Sequence, residues 1–147
     1  MQDLHHEARA LVDMALLALN HAFRDIADGS GPMMPFVMAD SDSEGRAIYR
    51  FEANSLGHAF ERAHLWLERV DREICRYAFA WDGYVTLDDV QVDALFVEAG
   101  DRTLPHGLIL CQCYMPDDEA GTVHRRIGEP VIVERPESRL AVTHTRH

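Results

Sequence analysis

The sequence predicts an α+β domain: an antiparallel sheet of about five to six strands with two helices packed on one face, in the order α-β-β-α-β-β-β-β. Three observations carry this. Two long stretches repeat apolar residues at three- and four-residue spacing, the period of a helix that buries one side. Several runs of strand length are rich in β-branched and aromatic residues. Short clusters of Asp, Gly, Ser and Pro separate these segments. A chain of 147 residues, 47% of them hydrophobic, is long enough to bury one substantial core. Residues 1–136 are therefore expected as a single domain, with 137–147 as a frayed tail.

The first helix is expected over 4–26, where Leu4, Ala8, Leu11, Val12, Ala15, Leu19, Ala22 and Ile26 share a face and "DGSGP" follows. Phe36 to Ala39 and the segment "AIYRF" flank "SDSEG" and read as a hairpin with Gly45 at positive φ. Asn54 or Ser55 can cap the second helix, whose stripe is Leu56, Ala59, Phe60, Ala63, Trp66, Leu67 and Val70 and whose end is expected near Arg72. Strands follow at 74–81, 90–97 and 107–114. "DG" at 82–83 reads as a bulge in a longer strand reaching Thr86, with "LDD" as the real turn. "PVIVE" at 130–134 offers a further strand, placed at an edge by Pro130. The element order is similar to that of roadblock-like and profilin-like adaptor domains, a likeness of order alone, since no motif of either is present.

Composition excludes more than it assigns. A formal charge of −11 disfavours nucleic acid and anionic membranes as partners, because both demand clustered positive charge. All fourteen basic side chains are Arg. Without lysine there is no P-loop or kinase lysine and no Schiff-base chemistry. That usage fits a GC-rich bacterial source. The acidic N-terminus and the lack of an apolar run of membrane-spanning length point away from a signal peptide or a span. Three cysteines, an odd number, fit reduced thiols in a cytoplasm better than a disulfide framework.

The sharpest chemical candidate is "ADSDSEGRAIYRFE", where Asp40, Asp42 and Glu44 alternate into Gly45. A calcium loop wants acids at positions 1, 3 and 5, Gly at 6 and a bidentate Glu at 12. Counted from Asp40, position 12 is Phe51, and strands stand where that loop needs helices. A looser cation site using Asp40, Asp42 and Glu44 remains as a metal candidate; a polar hairpin turn is the preferred reading. His58, Glu61 and His64 lie opposite the apolar stripe of the second helix and have no second copy to complete a bundle metal site. Cys111 and Cys113 share one side of a strand, where thiolates converge poorly on zinc, and read as small buried apolar groups. No nucleophile elbow is present, so no catalytic residue is assigned. Tyr77, Phe79, Trp81 and Tyr84 form the ligand-binding candidate, weighed against core packing.

Three functions follow from this. The leading one is a non-catalytic protein-interaction module acting as a homodimer, with no cofactor and another protein as partner. The alternatives are a cation-dependent, hydrolase-like enzyme built on Asp40, Asp42 and Glu44, and a small-ligand binding domain lined by the aromatics. The dimer is expected because Met14, Leu16, Ala18 and Phe23 widen the apolar arc of the first helix to about 200°, twice the usual width. In addition, Val92, Ala94 and Phe96 oppose Leu95 and Val97, so that strand is apolar on both faces.

Overall fold

The computed structural model describes residues 4–28, 33–69, 73–116 and 124–140. In chain order the elements are α1 (Leu4–Asp28), β1 (Phe36–Ser41), β2 (Gly45–Arg50), α2 (Leu56–Glu68), β3 (Ile74–Leu87), β4 (Val90–Asp101), β5 (Leu108–Pro116) and β6 (His124–Glu134). The six strands form one open antiparallel sheet in the order β2-β1-β3-β4-β5-β6. This is the predicted α+β fold in the predicted element order, with β6 and its Pro130 at an edge. Among the described residues no helix is long and apolar enough to cross a membrane.

The helices do not share a face of the sheet. Side chains alternate along β1, and Phe36 and Met38 join α1 in one core while Val37 and Ala39 join α2 in another. On the α1 side, Leu11, Met14, Ala15, Ala18, Leu19, Ala22, Phe23 and Ile26 pack on Ala78, Ala80, Leu95, Val97, Ala99, Leu108 and Leu110. On the other side, Ala63 and Leu67 of α2 meet Val37, Tyr77, Phe79 and Ile74. The small side chains Ala59 and Ala63, both fully buried, let this shorter helix lie close to the strands. The expectation of two helices on one face thus fails for a physical reason: β1 and β3 are apolar on both sides, and each side requires its own cover. The wide apolar arc of α1 is also used within the chain, because Met14, Ala18 and Phe23 are buried, while Leu16 and Leu17 stay exposed.

Local chemistry sets the boundaries. Ser55 caps α2, its Oγ accepting the amide of His58 at 3.2 Å, and Arg69 closes the helix. The expected continuation through Val70 to Arg72 lies outside the described residues. Gly45 has φ +75°, as the β1–β2 hairpin requires. Strands β3 and β4 pair without interruption from Arg76↔Asp101 to Leu87↔Val90, so Asp82–Gly83 is ordinary strand and the expected bulge is absent. The turn falls on Asp88 and Asp89, at φ 51° and 67°. Residues 137–140, expected as part of a frayed tail, are tied down. His106 bridges to Glu137, the amide of Ser138 donates to Pro105 O at 2.9 Å, and Leu140 is buried in the α2-side core. Backbone hydrogen bonds and one apolar anchor outweigh the polar composition of that segment. Residues 141–147 lie outside the described ones.

Candidate functional site

The three carboxylates of the hairpin are claimed by different partners. Asp40 and Arg46 face each other across β1 and β2, and the guanidinium grips the carboxylate through two hydrogen bonds of 2.6 and 2.9 Å. Arg76 reaches the same carboxylate at 3.4 Å and bonds Asp101 at 2.8 Å. The hydrogen bond from Arg46 outweighs partial burial and holds the Asp40 carboxyl below its ordinary value of 3.8. Asp42 pairs with Arg102 at 2.9 Å. Glu44 lies by the opposite face, in a shallow depression with Tyr49, Trp66, Arg69 and Glu73. Asp40, Asp42 and Glu44 therefore do not converge on one point, and two of them spend their charge on arginine. Among the described residues, no three His, Cys, Asp or Glu side chains gather as metal ligands would.

The other polar candidates have local partners. His64 lies 3.4 Å from Glu68 and 3.3 Å from Arg139, while His58 and Glu61 are exposed. Cys111 is buried, and burial first and the neighbouring Cys113 second push its thiol up to about 11. A thiol so placed is protonated at neutral pH and a poor nucleophile.

The aromatic candidates divide. Tyr77 and Phe79 are fully buried between α2 and the sheet, and the Tyr77 hydroxyl donates to Glu98 at 2.5 Å. Burial and the adjacent Glu98 carboxylate push that phenol well above its ordinary value. These two are core rather than ligand contacts. Trp81 and Tyr84 are accessible, Tyr84 being 57% exposed, and both line a groove of about 540 Å³ with Leu56, Gly57, Phe60 and Phe96. Trp81 stacks on Phe96 at 5.4 Å and 11°, and Phe60 packs against it at 5.4 Å. The groove forms where β1 stops. Phe36 pairs with Ala80, and beyond that register β3 has no strand partner on its β1 side among the described residues, where Met33 and Pro35 line the groove instead. Asp82, at the groove's edge, accepts the Tyr114 hydroxyl at 2.8 Å and the Met33 amide at 3.4 Å. Burial, reinforced by Asp93, lifts its carboxyl above the ordinary 3.8 against the pull of these hydrogen bonds. Leu56, Phe60 and Phe96 were not legible as groove residues, because they come from other elements and share no sequence motif with Trp81.

A second accessible surface lies on the α2 side of the sheet, over the strands that α2 does not cover. Cross-strand pairing places Trp81, Phe96, Cys111 and Val131 in one row and Gly83, Ala94, Cys113 and Ile127 in the next. Val85 and Val92 pair beyond them, followed by Leu87 and Val90 at the hairpin end. Ile127, Val131, Leu87 and Val90 are exposed. Arg125 and Glu134 bring charge to this face at opposite ends of β6. Comparison with protein-family models, with curated proteins and with solved structures finds no match to this chain.

Proposed function

We propose that the chain is a non-catalytic protein-interaction module that works as a homodimer and engages a further protein. The observation that carries this reading is the apolar side of β4–β6 and of the second half of β3, which no helix covers among the described residues. Antiparallel sheets with one wet face alternate apolar and polar residues, and here the face away from α1 lacks that alternation. Three strands and the second half of β3, spaced at about 4.8 Å and about ten residues long, present roughly 550 Å² per copy, so a pair would bury about 1,100 Å², at the lower end of specific interfaces. A two-fold pairing suits a face whose basic and acidic ends lie at opposite ends of one strand. The non-catalytic part of the reading is supported by the arginine pairing of Asp40 and Asp42 and by the protonated state of Cys111.

The charge of −11 supports a protein partner over nucleic acid or an anionic membrane surface. Three free cysteines fit a reducing, cytoplasmic setting. Light scattering coupled to size exclusion tests the dimer: the expected mass at micromolar concentration is twice the 16.7 kDa of the chain. A mass of one chain across a dilution series removes the homodimer.

A further inference from the structure

We propose that Cys111, Cys113 and Met115, three sulfurs on one side of β5, form a site for a soft metal ion, Cu(I), held by two thiolates and a thioether. The proposal goes beyond the interaction-module reading and needs neither the homodimer nor a protein partner, because every ligand belongs to one chain.

Strand geometry puts the sulfurs together. β5 pairs with β4 without interruption through Cys111 and Cys113, and with β6 without interruption from Cys113 to Met115. Alternation therefore sends all three side chains to one side. Leu110 and Tyr114 point the other way, into the α1-side core. Neighbours on one side of a strand stand about 6.6 Å apart, twice the rise per residue. Two thiolates leaning toward each other close to the span of a sulfur–metal–sulfur unit, about 4.6 Å or twice a bond of about 2.3 Å. The two cysteines already interact, since Cys113 adds to burial in pushing the Cys111 thiol up. Met115 has the longest side chain of the three and the reach to bring its thioether beside Cys113.

The neighbouring strand is shaped around the pair. Opposite Gln112 the β5–β6 ladder slips: Cys111 faces Val131 and Cys113 faces Ile127, so Gly128, Glu129 and Pro130 stand against one residue. Gln112, 1% exposed, clamps this bulge by donating to Ile127 O and Gly128 O at 3.0 Å each, and Gly128 makes the bend at φ +71°. A buried clamp between the two cysteines fixes the strand that carries them, which lowers the cost of ordering them around an ion.

The ligand set selects the ion. Zinc held by a protein takes four ligands, and among the described residues no third His, Cys, Asp or Glu joins the two cysteines. Thiolate and thioether sulfurs suit Cu(I), a soft ion that needs only two or three ligands. Each thiolate bond forms by donation of a sulfur lone pair as the thiol proton leaves to solvent, and nothing is oxidised or reduced. Two thiolates and Cu(I) together carry one negative charge. Arg125, opposite Met115 on β6, supplies the counter-charge, and its guanidinium stands 3.0 Å from Met115 Sδ. That contact uses one lone pair of the thioether and leaves the other for the ion. Access runs along the strand: Cys111 is 5% exposed, Cys113 is half-buried and Met115 is 39% exposed, on a side that no helix covers among the described residues.

The probe is Cu(I) itself, titrated without oxygen into the reduced chain against the chelator bicinchoninate. The expected result is one ion per chain, an ultraviolet thiolate-to-copper absorption band and an X-ray absorption first shell made of sulfur alone. Cys113→Ser, at a half-buried position, should remove this binding with an unchanged far-ultraviolet dichroism spectrum. Met115→Leu, at an exposed position, should weaken it about tenfold and guards against a folding defect in the first variant. Cys75→Ser should bind as the unaltered chain does, because the Cys75 thiol lies on β3 against Asp40 O. Failure to hold Cu(I) against micromolar chelator overturns the proposal. So does unchanged binding in Cys113→Ser, a nitrogen or oxygen ligand in the first shell, or Zn(II) held as tightly as Cu(I).

Discussion

Single side chains in this protein are placed chiefly by arginine. Arg139 enters from the chain's last described segment to hold Glu98, 7% exposed, through bonds of 2.7 and 3.2 Å, while Tyr77 donates to the same carboxylate. Arg139→Ala leaves that carboxylate buried without its cation and should lower stability by about 3 kcal/mol in urea unfolding. Removing the whole network with Glu98→Leu, Arg139→Met and Tyr77→Phe together should recover most of the loss, because no polar group is then left unpaired. Asp40 makes a pH prediction with a definite sign. Its carboxyl is held below 3.8 in the folded chain, so the unfolded chain takes up the proton first as pH falls. The stability it contributes is present above pH 3.8 and is lost as pH drops through the folded value. Asp40→Asn should cost about 1 kcal/mol at pH 7, and its urea midpoint should approach that of the unaltered chain well below pH 3.8. A constant gap between the two midpoints from pH 7 to pH 2 would show that Arg46 and Arg76 do not lower this carboxyl. None of these pairings is legible in the sequence, because Arg46, Arg76 and Arg139 meet their acids only through strand register or from a distant segment.

At the scale of elements, periodicity identifies the helices, the strands and their order, because burial on one side leaves a 3.6 or a 2.0 repeat in the chain. It does not say which face a helix takes. Phe36, Val37, Met38 and Ala39 form one unbroken apolar run, which announces cover on both sides of β1 without naming what supplies it. The cover for the second side is α2, and this accounts within the chain for part of the surplus that suggested a dimer. Strand β3 teaches a related lesson: Asp82–Gly83 resembles a turn in sequence, yet the ladder runs through it because Trp81↔Phe96 and Val85↔Val92 pack on either side. The real turn places two non-glycine residues in the left-handed region, which costs an ordinary L-residue about 1–2 kcal/mol and Asp rather less. Asp89→Gly should therefore raise the melting temperature, and Asp89→Val should lower stability by about 1–2 kcal/mol. Equal melting temperatures for the two variants would mean that the hairpin tip bends elsewhere in solution. The groove was half legible: Trp81 and Tyr84 stand at it, while Tyr77 and Phe79, four and two residues before Trp81 on the same side of the strand, lie under α2 because that helix covers only the first half of β3.

For the whole molecule, the balance between the two sides of the sheet decides the outcome. The 25-residue α1 covers one side from β1 to β5, whereas the 13-residue α2 reaches only the β1–β3 half of the other. The face left over is small-residued at its centre, where Ala94 and Cys111 are already buried and Cys113 is half-buried, and bulky at its rim, with Trp81, Leu87, Val90, Ile127 and Val131. A second copy turned by a two-fold would seat rim on rim and withdraw both faces from water at the usual gain of about 25 cal/mol per Å² of apolar surface. Val131 is 54% exposed in the single chain, so Val131→Asp does not disturb a core. The substitution should abolish the dimer by placing an uncompensated carboxylate where rim meets rim, giving a mass of 16.7 kDa with an unchanged far-ultraviolet dichroism spectrum. For the unaltered chain, the urea midpoint should rise with protein concentration, since association stabilises only the folded form; in Val131→Asp the midpoint should not depend on concentration. A dimeric Val131→Asp would place the interface elsewhere, with the exposed Leu16 and Leu17 of α1 as the next surface to alter.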